Sequence, residues 1–224
     1  MKTKKLLISL GIGIIATVVM AGTSKAGLQS RPNATTLVNR TANEFFELIR
    51  NMEASGGVLG LNATIDGTTF LDSSNNGLDI HMAKNTEWGT AAMLAASSYG
   101  IAPSGNSFAS TTGNATGIYQ MANGLYEYVA GIWDTSNSYM SKIKTADSRY
   151  YDLYSSATAK VGDATLETKY WKGANRVSFV SASNPIFVRS NSSLFGFDNG
   201  NGNSYSSSGS RAVVVCRWRT LKIH

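Results

Sequence analysis

Cysteine, histidine and proline are nearly missing from this chain: one, two and three residues among 224. The single cysteine, Cys216, can close no disulfide within the chain and can make no two-thiolate metal site. It falls in Val213-Val-Val-Cys-Arg-Trp218, a run with strand character, where a small buried hydrophobe and a reactive thiol are the two alternatives. Histidine is restricted to His81 and His224. Residues so far apart do not make a zinc site. A Ser-His-Asp arrangement would rest on His81, which sits between Ile80 and Met82 as a satisfied structural histidine does. Charged residues are scarce too, at 15%. Beyond residue 26 no apolar run approaches the ~20 residues that span a bilayer.

The N-terminus does carry an apolar run. Lys2, Lys4 and Lys5 precede Leu6 to Ala21, and Ser24-Lys25-Ala26 follows with small residues at the positions a signal peptidase reads. Residues 1–26 read as a secretory signal peptide, so a secreted or cell-surface protein is expected. The alternative is an uncleaved anchor, and that segment would be the only membrane attachment. The formal charge is +6, but the leader holds four lysines and no acid, which leaves +2 for the rest. Nucleic-acid binding needs clustered Lys and Arg against phosphates and loses its support here. The remaining basic cluster, Arg211, Arg217, Arg219 and Lys222, is mixed into a strand-like run.

What the chain has instead is an unusual concentration of rings around one acid. Gly117-Ile-Tyr-Gln-Met-Ala-Asn-Gly-Leu-Tyr-Glu-Tyr-Val129 places Glu127 between Tyr126 and Tyr128. A solvated loop does not need so many rings, so the run reads as a buried knot with a cation or hydrogen-bond network around Glu127. Before it, residues 27–36 read as a tether broken by Arg31-Pro32-Asn33. Leu37, Phe45, Leu48, Ile49 and Met52 recur at helical spacing from about 37 to 52, and Ser55-Gly56-Gly57 ends that pattern. Short alternating runs lie between Leu59 and Leu71, and Asp72-Ser-Ser-Asn-Asn-Gly77 is a turn cluster. A second helix is expected from Asn85-Thr86, which can cap it, with Glu87 in the first turn and Gly100 as a stop. Its alanines imply close approach to another element. Later strands are expected at Phe179-Val180 and at Ala212 to Trp218.

Five runs, in order, resemble the formylglycine-generating enzyme or sulfatase-modifying-factor family. They are His81-Met-Ala-Lys-Asn-Thr-Glu-Trp-Gly89, Thr112-Gly-Asn-Ala-Thr-Gly-Ile-Tyr-Gln-Met-Ala-Asn-Gly-Leu-Tyr-Glu-Tyr128, Gly162-Asp-Ala-Thr-Leu-Glu-Thr168, Phe187-Val-Arg189 and Gly209-Ser-Arg-Ala-Val-Val214. The resemblance covers about 77–216. Tyr119, Met121, Tyr126, Glu127 and Tyr128 match the family's hallmark, with tyrosine for both of its tryptophans and its Gly-Asn order reversed. Arg189 and Arg211 match its later arginines, although Ser190-Asn191 replace two glycines and Ser210 replaces a phenylalanine. The resemblance implies an α+β, C-type-lectin-like fold of the formylglycine-generating type, loop-rich, with two helices and small antiparallel sheets, as a single domain over 37–224. The family's paired cysteines, which bind copper and oxidise a substrate cysteine, have no counterpart here.

The resemblance also implies a structural calcium ion at Gln120, the Asn123 and Leu125 carbonyls and Glu127, hard oxygen donors of the kind calcium takes. The alternative is that Glu127 accepts hydrogen bonds in the core. Paired carboxylates are conceivable among Asp147, Asp152, Asp163 and Glu167, with solvated acids as the default. Asp198-Asn-Gly-Asn-Gly-Asn203 lacks the spaced acids of a calcium loop and reads as a turn. The segment from Ser190 to Ser210 mixes Ser, Asn and Gly with rings, as binding surfaces do, and a plain surface loop has the same composition. Its candidate ligand contacts are Asn191, Leu194, Phe195, Phe197, Asn201, Asn203 and Tyr205. Further rings, Trp133, Trp171, Tyr150, Tyr151, Tyr154 and Tyr170, are available either to the surface or to the core. The expected role is non-catalytic recognition of a protein or glycan at the cell surface. The alternatives are a structural or tip subunit of a surface appendage and a degenerate enzyme of the family.

Overall fold

Strand Tyr126–Trp133 (β5) pairs with three other strands and is the hub of the fold. A computed structural model of the chain describes residues 15–16, 38–53, 63–65, 68–70, 78–100, 111, 118, 121, 125–165, 178–189 and 193–216. In chain order the remaining elements begin with β1 (Ile15–Ala16), α1 (Ala42–Arg50) with a 3-10 turn (Asn51–Glu53), β2 (Ala63–Ile65), β3 (Thr68–Phe70), β4 (Leu78–Met82) and α2 (Asn85–Ala95). After β5 come α3 (Ser141–Thr145), a second 3-10 turn (Ser148–Tyr150), β6 (Asp152–Tyr154), β7 (Ile186–Arg189), β8 (Phe197–Gly200), β9 (Ser208–Ser210) and β10 (Ala212–Cys216).

The class is α+β, with three helices and small sheets among the described residues. Two details depart from the expectation. The third helix, α3, is a five-residue turn that buries only Ile143, too short to leave a periodic signal. The main sheet, ordered β6-β5-β7-β8, is mixed: β5 runs antiparallel to β7 but parallel to β6 and to β9. A second sheet sets β10 between β4 and β1, with Ile15 opposite Val215. A third is the β2–β3 hairpin, where the sequence alternates.

Local chemistry sets the helix boundaries. α1 begins later than its apolar spacing suggests, because Thr41 caps it. The Glu44 amide donates to Thr41 Oγ1 at 3.3 Å, and the Thr41 amide donates to Glu44 Oε2 at 2.7 Å. Just before, Asn39 adopts φ 53, which no helix continues through. α2 starts where expected but is not capped by Asn85 or Thr86. The Thr86 amide donates instead to Asp152 at 2.8 Å, a carboxylate supplied by β6, while Glu87 accepts from the Lys84 amide at 2.9 Å. The close approach implied by α2's small residues is real. A Cβ on Gly89 would lie 2.4 Å from the Gly162 carbonyl oxygen.

Because side chains alternate along a strand, β5 feeds two cores. Tyr128, Ala130 and Ile132 pack with Phe45, Ile49 and Ile143 beneath α1 and α3. Val129 faces the other way, into a cluster with Trp88, Tyr154, Phe187, Phe195 and Phe197 beneath α2. Rings in that second cluster meet edge-on, as between Phe179 and Phe187 at 5.0 Å. Phe179 and Val180 pack here without forming the expected strand. Among the described residues no helix is long and apolar enough to cross a membrane.

Candidate functional site

Glu127 lies at the start of β5 and is 4% exposed. Arg211, immediately before β10, holds both of its oxygens. Arg211 Nε donates to Oε2 and a terminal nitrogen donates to Oε1, each at 2.5 Å. Trp88 Nε1 adds a third bond to Oε2 at 3.1 Å. A planar guanidinium matches a carboxylate in this two-pronged way, and burial of both groups makes the pairing obligatory. The arrangement supports the core-acceptor alternative for Glu127. A dication beside it would face the Arg211 charge, so the carboxylate does not fit a calcium ligand while that pair stands. Of the other candidate ligands, Gln120 and Asn123 lie outside the described residues, and Leu125 is a half-buried residue leading into β5. No group of three or more His, Cys, Asp and Glu side chains gathers for a metal among the described residues.

Arg189, opposite Glu127 in the β5–β7 register, is fully buried. Its guanidinium lies over the Trp88 ring at 5.1 Å. Its Nε donates to Asn85 Oδ1 at 2.8 Å, and a terminal nitrogen donates to the Asp163 carbonyl. Asn85 Nδ2 donates to the Tyr154 hydroxyl at 2.9 Å, and that hydroxyl donates to Asp163 at 3.0 Å. Asp163 also accepts from the Lys160 amide and from Thr165. Burial, and then the neighbouring carboxylates, push the Tyr154 hydroxyl well above its ordinary range. This closed polar ring fastens α2 to β7 and leaves Asp163 with structural duties. Of the other carboxylates considered as a pair, Asp152 caps α2, Asp147 caps the second 3-10 turn, and Glu167 lies outside the described residues.

His81 is buried in β4 with both ring nitrogens engaged, Nδ1 on Asp79 and Nε2 on Glu87, each at 3.0 Å. Burial by itself lowers its pKa, but the hydrogen bond and charge of Glu87, then those of Asp79, outweigh burial and raise it. Glu87 responds in the opposite sense. Burial raises it, and His81 with the Lys84 amide brings it below its ordinary value. His81 is a structural clamp between β4 and α2.

A cleft of about 330 Å³ opens over the main sheet beside Tyr128, Val188 and Gly200. Tyr126 from the hallmark run forms one wall, and Tyr205 and Asn201 from the β8–β9 connection form another. Both tyrosines are open to solvent, at 40% and 50%. Asn184, Asp198, Asn199 and Ser207 also line it, and Tyr128 with Val188 forms the floor. The loop is held in shape. The Tyr128 hydroxyl donates to the Asn203 carbonyl at 2.8 Å, the Asn203 amide donates to Asn201 Oδ1 at 3.1 Å, and Ser208 Oγ donates to the Tyr205 carbonyl at 2.8 Å. Gly202 takes φ +90, where a Cβ would also press on Tyr139 at 2.9 Å. Burial raises the Tyr128 pKa far above its usual value, so its floor position is neutral.

Two of the seven expected ligand contacts, Asn201 and Tyr205, line this cleft. Phe195 and Phe197 are corrections: at 3% and 2% exposure both belong to the aromatic core under α2, because β8 turns Phe197 inward. Leu194 packs half-buried against the same core. Asn203 braces the loop through its backbone, and Asn191 lies outside the described residues. Of the further rings, Tyr150 and Tyr154 are core, Trp133 and Tyr151 are half-buried, and Tyr170 and Trp171 lie outside the described residues. Sequence reasoning missed Asn184 and Asn199. The first stands in a turn-like Ser181-Ala-Ser-Asn-Pro185 run. The second belongs to the expected turn, whose first half is strand β8 and whose second half is an Asx turn at Asn201. Searches against protein-family models, curated proteins and solved structures each return no match.

Proposed function

We propose that this chain is an exported, non-catalytic binding protein that recognises a protein or glycan at the cell surface, on a C-type-lectin-like fold of the formylglycine-generating type. The observation that carries the binding reading is the cleft itself, in which two half-exposed tyrosines and several side-chain amides stand over a braced loop. Rings supply contact area at small entropic cost, and a braced loop loses little freedom when a ligand arrives. The lectin-like reading draws on the Tyr126-Glu127-Tyr128 run at the head of the hub strand and on its partners Trp88 and Arg211, all within the segments that carry the resemblance. The non-catalytic reading draws on the lone Cys216.

Binding of purified protein to intact cells and cell-wall fragments tests the proposal. Saturable binding, weakened by Tyr126→Ala and Tyr205→Ala together, is the expected result. Turnover of a cysteine-containing peptide would point to the enzyme alternative, and incorporation into a surface filament without saturable binding would point to the appendage alternative.

A further inference from the structure

We infer that the cleft takes a neutral, hydroxyl-rich glycan, an assignment that rests on the binding reading above and names its ligand class. Charge is the first argument. Among the described residues the lining contains no Lys, Arg or His, and its carboxylate is that of Asp198. Among the described lining residues a phosphate, sulfate or uronate meets no cation, and an anionic ligand finds no charge partner there.

The second argument is hydrogen-bond chemistry. Asn184, Asn199, Asn201 and Ser207 each offer groups that donate and accept, which is what a sugar hydroxyl requires of its partner. Part of this set is already anchored. Asn199 Nδ2 donates to the Phe179 carbonyl at 2.5 Å, and Asn201 Oδ1 accepts from the Asn203 amide at 3.1 Å. Among the described residues nothing engages the Asn184 side-chain amide, Asn199 Oδ1 or Asn201 Nδ2. Amide groups fixed at one end and open at the other are preorganised donors and acceptors. The exposed Tyr126 and Tyr205 rings give the apolar face of a pyranose a surface to stack on.

Strand edges separate a glycan from an extended peptide. A peptide would add to the outer edge of β8, the last strand of the sheet. That edge is already covered: the Ser178 amide donates to the Phe197 carbonyl at 3.4 Å, and Asn199 reaches across to Phe179. What remains open is a side-chain-lined cleft. At 330 Å³ it is at the small end of the roughly 300–1,000 Å³ range of ligand pockets, and so suits one or two sugar rings.

The test is titration of the purified protein with neutral oligosaccharides of glucose, galactose, mannose and N-acetylglucosamine, beside a sulfated oligosaccharide and an extended uncharged peptide. A neutral sugar binds, its affinity changes little between low and high salt, and Tyr205→Ala and Asn184→Ala each weaken it by about tenfold, the worth of roughly one hydrogen bond or stacking contact. An unchanged melting midpoint for both variants shows that the loss is not unfolding. Preference for the sulfated sugar or the peptide overturns the assignment, as does neutral-sugar binding that ignores both substitutions. If no sugar binds but cells still capture the protein through Tyr126 and Tyr205, the glycan assignment falls and the broader binding reading stands.

Discussion

Arg211 grips both carboxylate oxygens of Glu127, at 2.5 Å each, across 84 residues of sequence. The pair ties β5 to the approach of β10 and joins the main sheet to the smaller one. With both side chains about 95% buried, removing either partner strands a charge in the interior. Glu127→Ala or Arg211→Ala is expected to cost about 3–5 kcal/mol. The double variant Glu127→Ala with Arg211→Ala is expected to cost less than the sum of the single changes. Urea denaturation of the four proteins checks this, and additive losses would deny the coupling.

The same pair predicts indifference to calcium. Since the Glu127 oxygens are bonded to Arg211 and Trp88, adding calcium and then chelator should leave the melting midpoint where it is. An upward shift that Glu127→Gln abolishes would restore the cation site.

His81 predicts the pH profile of stability. Its folded pKa is raised, so its contribution is full below its ordinary value of 6.5 and is lost as pH rises through the raised value. Glu87 is lowered, so its contribution is full above its ordinary value of 4.5 and is lost as pH falls through the depressed value. The clamp therefore works best between those values. Lys84, 3.5 Å from Glu87, and Arg50, 3.6 Å from Asp79, also face the clamp. Asp152, raised by burial, opposes Glu87 on the acid side. Melting midpoints should fall above about pH 6.5, and His81→Asn should flatten that limb. A variant that keeps the same alkaline slope would show that another group sets it.

Gly89 predicts a steric limit. Alanine is the better helix former by about 1 kcal/mol, but its Cβ would sit 2.4 Å from a backbone carbonyl oxygen that cannot swing aside. Overpacking should win, with Gly89→Ala destabilising by about 1–3 kcal/mol and the melting midpoint dropping by several degrees. A raised midpoint would mean that the loop at Gly162 yields.

These predictions also mark what the sequence could reveal. Spacing located α1 and α2, alternation located β2 and β3, a valine-rich run located β10, and the oddity of an acid between two tyrosines located the buried centre of the fold. Long-range partners were less visible. Nothing near Glu127 in sequence points to Arg211, although a buried acid demands a cation and Arg211 stood within a run already singled out. Asn85 looked like a helix cap because its neighbours are those of a cap. Its position in the Arg189–Tyr154 ring depends on residues 69 and 104 positions away. Phe195 and Phe197 looked like surface anchors because Ser, Asn and Gly surround them. An edge strand can have that composition and still turn its rings inward. Of the cleft, Tyr205 and Asn201 were legible as ligand contacts. Asn199 on β8 and Asn184 just before β7 are brought together by the β7–β8 pairing, which local composition does not encode.

Ligand is expected to sit in the Tyr126–Tyr205 cleft. Quenching or chemical-shift change of Tyr205, followed while the purified protein is titrated with intact cell-wall fragments, tests that most directly. Saturable change in the wild type that is lost with Tyr126→Ala, at an unaltered melting midpoint, is the predicted result. Binding that leaves Tyr205 unperturbed and survives both tyrosine substitutions would contradict it.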